Sequence, residues 1–175
     1  YDGWTSPPST QGYLTLSALK GFEIINNKDD YLHTLIESYR IFASDRDNIT
    51  YDYQGNNQKF LGIDDKYIKN KVSLFDKNAA GKYNFPNPHG GGTAYMNAVD
   101  ESGLGISLIQ SNFYGIGSRI GVGSYGFFLH NRGCGFNLIQ GHPNSLGPNK
   151  KPLHTLSPTI WSKDGSLDFI TGTRG

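Results

Sequence analysis

Three consecutive glycines, Gly90, Gly91 and Gly92, end at a hydroxyl residue, Thr93, and an apolar run follows directly. Glycine lacks the side chain that forbids left-handed or strained backbone, so the peptide bond before Thr93 can bend towards a nucleophile in its own chain. If the Thr93 hydroxyl attacked the Gly92 carbonyl, an N→O acyl shift and hydrolysis of the ester would leave Thr93 as a new N-terminus. Its α-amine, with an ordinary pKa of about 8, then suits the role of base for its own hydroxyl, the N-terminal threonine form of nucleophilic catalysis. The same composition also describes an ordinary loop leading into a strand, and the local pattern by itself favours that plainer reading.

Other chemistries have less support. No Gly-x-Ser-x-Gly elbow is present for a serine triad. The five histidines lack metal-ligand spacing, and one cysteine, Cys134, allows neither an internal disulfide nor a cysteine zinc cluster. No cofactor is expected. Lys plus Arg number 16 against 15 Asp plus Glu, with no basic block, so nucleic acid is not an expected partner. No apolar run approaches the roughly 18 residues of a membrane span.

The elements that must position Thr93 divide at the glycines. A chain of 175 residues is long enough for one domain with a real core. It opens on Tyr1 and stops in a glycine-containing turn at Gly175, and so reads as a segment of a longer protein. Residues 1–12 read as a loop, and residues 13–22 as a short helix ended by Gly21. From Asp29 or Asp30 to Ala43, Leu32, Leu35, Ile36, Tyr39, Ile41 and Phe42 predict an amphipathic helix packed on a core. Asp45-Arg46-Asp47 reads as its solvated end. Residues 51–89 look like an exposed arm with a short helix near Asp64 to Asn70. After Thr93 the pattern turns to strands: Ala94 to Val99 and Leu104 to Gln110 as a hairpin, Gly126 to His130, then Thr159 to Ser162 and Leu167 to Thr171 as a second hairpin. Helices first and strands afterwards predict an α+β fold.

The blocks Thr93-Ala-Tyr-Met-Asn-Ala-Val-Asp-Glu-Ser-Gly103, Ser107-Leu-Ile-Gln-Ser111, Tyr114-Gly-Ile-Gly117, Asn131-Arg132, Gly147-Pro-Asn-Lys-Lys-Pro152, Leu156-Ser-Pro-Thr159 and Gly172-Thr-Arg-Gly175 resemble the start of the small subunit of the gamma-glutamyltranspeptidase family. Pro7-Pro-Ser-Thr-Gln-Gly12 and Ser38-Tyr-Arg-Ile-Phe-Ala-Ser-Asp-Arg46 resemble the end of its large subunit. The resemblance implies a four-layer αββα N-terminal-nucleophile sandwich, of which this chain is part. Residues 1–92 would end the large subunit and 93–175 begin the small one. Cleavage would fall between Gly92 and Thr93, and Thr93 would form an acyl-enzyme with a γ-glutamyl or related amide that water or an amine then releases. A homo-oligomer stays open, as does a cytoplasmic or secreted location.

Carried over by position, Ser111 falls where a threonine hydroxyl supports the nucleophile, and Gly175 on the first of two glycines whose amides stabilise the oxyanion. Asn112, Arg132, His154 and Thr155 fall in substrate-binding positions, the last two where the family has a serine pair that holds a carboxylate. Two departures matter. Arg132 replaces a glutamine and Gly135 replaces an aspartate that pairs with the γ-glutamyl α-ammonium. An arginine is instead a donor for a carboxylate, which points towards glutaryl-type acylases or poly-γ-glutamate amidases. A surface ion pair for Arg132, a packed imidazole for His154, and an unprocessed ligand-binding relative are the alternatives.

Overall fold

A computed structural model of the chain describes residues 1–53, 59–84 and 92–173. The expected glycine loop through Gly91, and Gly175, lie outside the described residues. The elements run β1 (Asp2–Thr5), α1 (Tyr13–Ile25), α2 (Tyr31–Ala43), α3 (Arg46–Ile49), α4 (Asp65–Val72), β2 (Thr93–Val99), β3 (Gly105–Ser111), β4 (Thr159–Lys163) and β5 (Ser166–Thr171). Helices precede all strands but one, so the α+β expectation holds.

The core lies among α1, α2 and α4, where Tyr13, Leu14, Ala18, Phe42, Ile49 and Ile68 are buried together. Gly21 was expected to end α1, yet the helix runs on to Ile25 and stops at Asn26, whose left-handed φ is 47°. The reason is packing. A Cβ at Gly21 would stand 2.6 Å from Ser38 Oγ and 2.8 Å from the Phe42 ring, so glycine is what lets α2 approach α1 closely. Ser38 uses that proximity to donate a 2.7 Å hydrogen bond to the Ala18 carbonyl.

α2 begins as expected, with Asp30 accepting from the His33 N–H. Its buried face differs from the expected one. Thr34, Glu37, Ser38, Ile41 and Phe42 point inwards, while Leu32, Leu35, Ile36 and Tyr39 are exposed. Small and polar residues permit the close helix contact, and Glu37 is neutralised by Arg40 and by the Gly81 N–H at 2.8 Å.

Asp45 is no solvated helix end. It meets Lys71 at 3.0 Å and accepts from the Tyr67 hydroxyl at 3.0 Å, joining α3 to α4. Burial raises its pKa, but hydrogen bonds from Asn48, Lys71 and Tyr67 more than offset that and leave it below the usual carboxylate value. The arm likewise starts buried: Asp52 Oδ2 accepts from the Lys151 N–H at 2.8 Å, 99 residues away in sequence.

The first twelve residues were read as a loop, but Asp2–Thr5 pairs antiparallel with β4, giving the sheet order β1-β4-β5. That pairing is purely non-local, and no local periodicity announces it. Gly126 to His130, expected as a strand, makes only an isolated bridge between Gly121 and Phe128, because Gly126 turns the chain at a φ of 75°. The hairpins are as expected. β2 pairs with β3 in unbroken register from Thr93↔Ser111 to Val99↔Gly105, turning at Gly103 with a φ of 85°. Asp164 and Gly165, with φ of 51° and 80°, join β4 to β5. The two sheets touch where Gly105 meets Leu167 and Ile170, and where Gly172 meets the Tyr95 ring.

Candidate active site

Thr93 is the first residue of β2, and the hairpin register sets Ser111, the last residue of β3, directly across from it. Thr93 Oγ1 donates to Ser111 Oγ at 3.1 Å, and Ser111 Oγ also accepts from the Phe113 N–H at 3.0 Å. The Ser111 oxygen is fixed by two donors and in turn fixes the Thr93 hydroxyl. A neutral hydrogen bond of this kind contributes about 0.5–1.5 kcal/mol and, more usefully here, an orientation.

After β3 the chain makes a turn that the sequence does not announce. Phe113 has a φ of 78°, a region that costs a bulky L-residue about 1–2 kcal/mol. Asn131 holds the turn: its Oδ1 accepts from the Tyr114 N–H at 3.0 Å, and its Nδ2 donates to the Tyr114 and Gly117 carbonyls at 3.3 and 3.2 Å. The Asn131 N–H also reaches the Asn112 carbonyl at 3.2 Å.

Arg132 follows, in a 3-10 turn spanning Arg132–Gly135. Its side chain is almost fully buried, at 2% exposure, which excludes the surface ion pair. Its guanidinium lies 5.0 Å from the Phe113 ring centroid and Nη1 donates to Thr155 Oγ1 at 3.3 Å, while Nη2 has no partner among the described residues. Among the described residues no carboxylate forms an ion pair with it. Burial lowers its pKa below the ordinary arginine value, and an unneutralised interior charge of this kind costs several kcal/mol, roughly, before any compensation.

His154 lies beside it. Burial first, then the charges of Arg132 and His130, push its pKa down from 6.5 to about 4, so it is neutral at neutral pH. Its Nδ1 is buried without a partner among the described residues, whereas its backbone is tied by hydrogen bonds with Ser9 and Gln11.

A cleft of about 940 Å³ gathers Thr93, Ser111, Phe113, Cys134, Gly135 and Thr155 from the strand half, with Gln11, Tyr39 and Arg46 from the helical half. Arg132, His154 and Asn112 are not among its lining residues. The structure therefore brings Thr93, Ser111 and Thr155 to one cavity, sets Arg132 one layer behind Thr155, and leaves Asn112 contributing a backbone carbonyl to the turn. Gly92 is exposed and adjoins Gly115. Gly175 lies outside the described residues. Gly135 has no room for a side chain, since a Cβ there would stand 2.7 Å from the Leu153 carbonyl oxygen. Among the described residues no group of three or more His, Cys, Asp or Glu side chains could hold a metal ion, and no helix is long and apolar enough to cross a membrane.

Sequence reasoning missed Phe113 and Asn131 as parts of this site. A non-glycine left-handed turn has no compositional signature. The Asn131-Arg132 pair offered a signal only through its place in a family block.

Helices and paired antiparallel sheets, with a hydroxyl at the head of one strand, make an α+β fold of the kind found in N-terminal-nucleophile hydrolases. The chain belongs to the gamma-glutamyltranspeptidase family, whose description matches residues 1–175 throughout. It is similar to a glutathione hydrolase-like proenzyme, YwrD, of Bacillus subtilis, with 32% identity over 187 residues covering 100% of this chain and 34% of that protein. It is also similar to an oxamate amidohydrolase proenzyme of Klebsiella pneumoniae, with 29% identity covering 98% of this chain and 33% of that protein. Among solved structures, cephalosporin acylase from Bacillus halodurans superimposes with a TM-score of 0.81 at 26% identity, covering 96% of this chain and 31% of the acylase. The chain thus spans about a third of the length of the relatives it matches.

Proposed function

We propose that the protein carrying this chain is an amide hydrolase or acyltransferase that cuts itself between Gly92 and Thr93 and then uses Thr93 as its nucleophile. The observation that carries this reading is the Thr93 hydroxyl, oriented by Ser111 at the mouth of a cleft that Thr155 also lines. In processing, Thr93 Oγ attacks the Gly92 carbonyl carbon, the C–N bond breaks as the proton passes to the departing nitrogen, and water hydrolyses the resulting ester. Residues 1–92 then end a large subunit and residues 93–175 begin a small one. In turnover, the freed α-amine takes the hydroxyl proton as Oγ attacks the substrate carbonyl. The leaving amine departs with that proton, and water or a second amine releases the acyl group.

Names of relatives support this reading: two are called proenzymes, and glutathione hydrolase-like, oxamate amidohydrolase and cephalosporin acylase are the activities in those names. The oxyanion role of Gly175 stays part of the proposal, as does the contact of substrate with Thr155. The absence of space for an acidic side chain at Gly135 supports a glutaryl-type acyl group over a γ-glutamyl one.

The test is N-terminal sequencing of the smaller polypeptide from purified active protein. It is expected to begin Thr-Ala-Tyr, and Thr93→Ala is expected to yield one uncut, inactive chain. A fragment starting elsewhere, or full activity from uncut protein, would remove Thr93 from the mechanism.

A further inference from the structure

We propose that Glu37 and Arg40 form a clamp on α2 that pins the arm at Gly81 and so aligns the Gly92–Thr93 peptide for self-cleavage, with no part in later turnover. Such a role presupposes Thr93 as the self-cleaving nucleophile and adds the positioning residues for the other side of the scissile bond.

Self-cleavage needs two groups held in line, and the hydroxyl is the better fixed of them. Thr93 Oγ1 is oriented by Ser111 at the head of a paired strand. Gly92 is exposed, and among the described residues the nearest atom to its Cβ position, chain neighbours apart, is the Gly115 carbonyl oxygen at 3.9 Å. Little on the strand side therefore holds the carbonyl that Thr93 attacks, and its direction falls to the arm that leads into it.

The arm is pinned at Gly81. Glu37 Oε2 accepts from the Gly81 N–H at 2.8 Å, and Arg40 Nη2 donates to the Gly81 carbonyl at 3.0 Å. Both polar backbone groups of one residue are thus held by charged side chains a helical turn apart, and Arg40 Nη1 donates to Glu37 Oε1 to lock the pair together. Glu37 is 3% exposed, and a carboxylate so buried costs stability unless donors like these surround it. Tyr83 closes the clamp. Its ring centroid lies 5.4 Å from the Arg40 guanidinium, and the ring folds back so far that a Cβ on Gly81 would collide with it. Earlier in the arm, His33 Nε2 donates to the Asp76 carbonyl at 2.9 Å, and the His33 and Phe75 rings lie 5.5 Å apart. His33, Glu37 and Arg40 share one stripe of α2, and the arm lies along it.

The same helix walls the cleft, since Tyr39 and Ala43 line it together with Thr93. α2 thus carries, on adjacent faces, a wall of the site and the anchor of the segment that enters it. Intramolecular attack depends steeply on such alignment: a displacement of about 1 Å between reacting groups costs on the order of a hundredfold in rate. Once the bond is cut, the clamp has no scissile peptide left to aim, and a separate amide substrate owes nothing to Gly81. Loosening the clamp should therefore slow processing and spare mature catalysis.

The test follows self-cleavage of the full-length precursor on denaturing gels after a pulse of cell-free translation. It then compares kcat/KM of the fully cut products on whichever of glutaryl and γ-glutamyl p-nitroanilide the wild type cuts faster. Arg40→Lys keeps a cation beside Glu37 but loses the planar fork that also reaches Gly81. It is expected to slow cleavage by about fivefold or more and to leave kcat/KM within about twofold, a modest share of what misalignment can cost. Glu37→Gln, which keeps an acceptor for the Gly81 N–H, should slow cleavage less than Glu37→Ala. A Gly-Ser insertion between the exposed Ala79 and Ala80, upstream of the clamp, should leave the wild-type cleavage rate within about twofold, because the pin at Gly81 absorbs the added length. Slowing of less than fivefold in Arg40→Lys, or a fall in kcat/KM that matches the fall in cleavage, overturns the proposal. If Arg40→Lys yields no soluble protein, the insertion decides alone, and a fivefold slowing there overturns it. Failure of the underlying reading has a separate signature: wild type then gives no chain that begins Thr-Ala-Tyr, whereas wild-type cleavage at Thr93 with equally fast cleavage in Arg40→Lys removes the clamp alone.

Discussion

The carbonyl oxygen of Leu153 lies where a side chain on Gly135 would begin, 2.7 Å from the Cβ position. An aspartate at 135 would force the Leu153 backbone to shift, so on the proposed reading the site lacks the partner that the family resemblance implies for a γ-glutamyl α-ammonium. A charge-assisted hydrogen bond of that type is worth about 1.5–3 kcal/mol, or roughly one to two decades in affinity. Glutaryl anilides should accordingly be hydrolysed at least as well as the matching γ-glutamyl anilides. A tenfold preference for γ-glutamyl in kcat/KM would sink this expectation. Gly135→Asp should not convert specificity; it should lower stability by about 1–3 kcal/mol, the usual cost of overpacking, read as a fall in Tm.

Ser111→Ala tests the other end of the cleft. It removes a neutral hydrogen bond to Thr93, so the rate of acyl-enzyme formation should fall about two- to twelvefold, the equivalent of 0.5–1.5 kcal/mol. Single-turnover kinetics would report it. A Ser111→Ala variant with wild-type acylation would show that the hydroxyl pair is structural.

Cys134 is exposed and lines the same cleft as Thr93. A bulky maleimide on this thiol should block substrate entry, and Cys134→Ser should be active and indifferent to the reagent. Loss of activity in the treated Cys134→Ser protein would show that the reagent acts elsewhere.

His154 makes stability depend on pH in a defined window. Its folded pKa of about 4 lies below the ordinary 6.5, so between those values the unfolded chain binds more protons than the folded one. Stability should therefore be fully present above about pH 6.5 and decline as pH falls towards 4. Asp45, whose folded pKa is held below its ordinary value, keeps its stabilising contribution across this window and loses it only as pH falls below the ordinary carboxylate range. A series of Tm values from pH 7 to 4.5 in wild type and His154→Gln would measure it, and equal slopes would remove His154 as the cause.

The legible part of this fold was the part with local rules. Asp30 and Asp64 cap their helices, and Gly103 and Gly165 turn their hairpins with positive φ. Three glycines and a strand start mark Thr93 only as a candidate, since the same pattern fits an ordinary loop entering a strand, as β2 does here. Three features depended on distant partners instead. β1 exists only because β4 lies beside it. The buried face of α2 departs from its apolar pattern because the small Ser38 packs at Gly21, where a larger residue would hold α1 away. Arg132 was expected either at the surface or touching substrate, and the structure puts it beneath Thr155, a depth no spacing rule encodes.

β1 comes from before Gly92 and β4 from after Thr93, and they are hydrogen-bonded neighbours in a single sheet. A cut at the scissile bond would therefore sever the covalent thread without separating two bodies. Asp52 of the arm also grips the Lys151 amide from across that divide. What processing would yield is a heterodimer whose interface was assembled as a domain interior while the chain was still continuous. Such an interface need never have formed by encounter, and fragments expressed apart would have to rebuild a shared sheet from a lone four-residue strand.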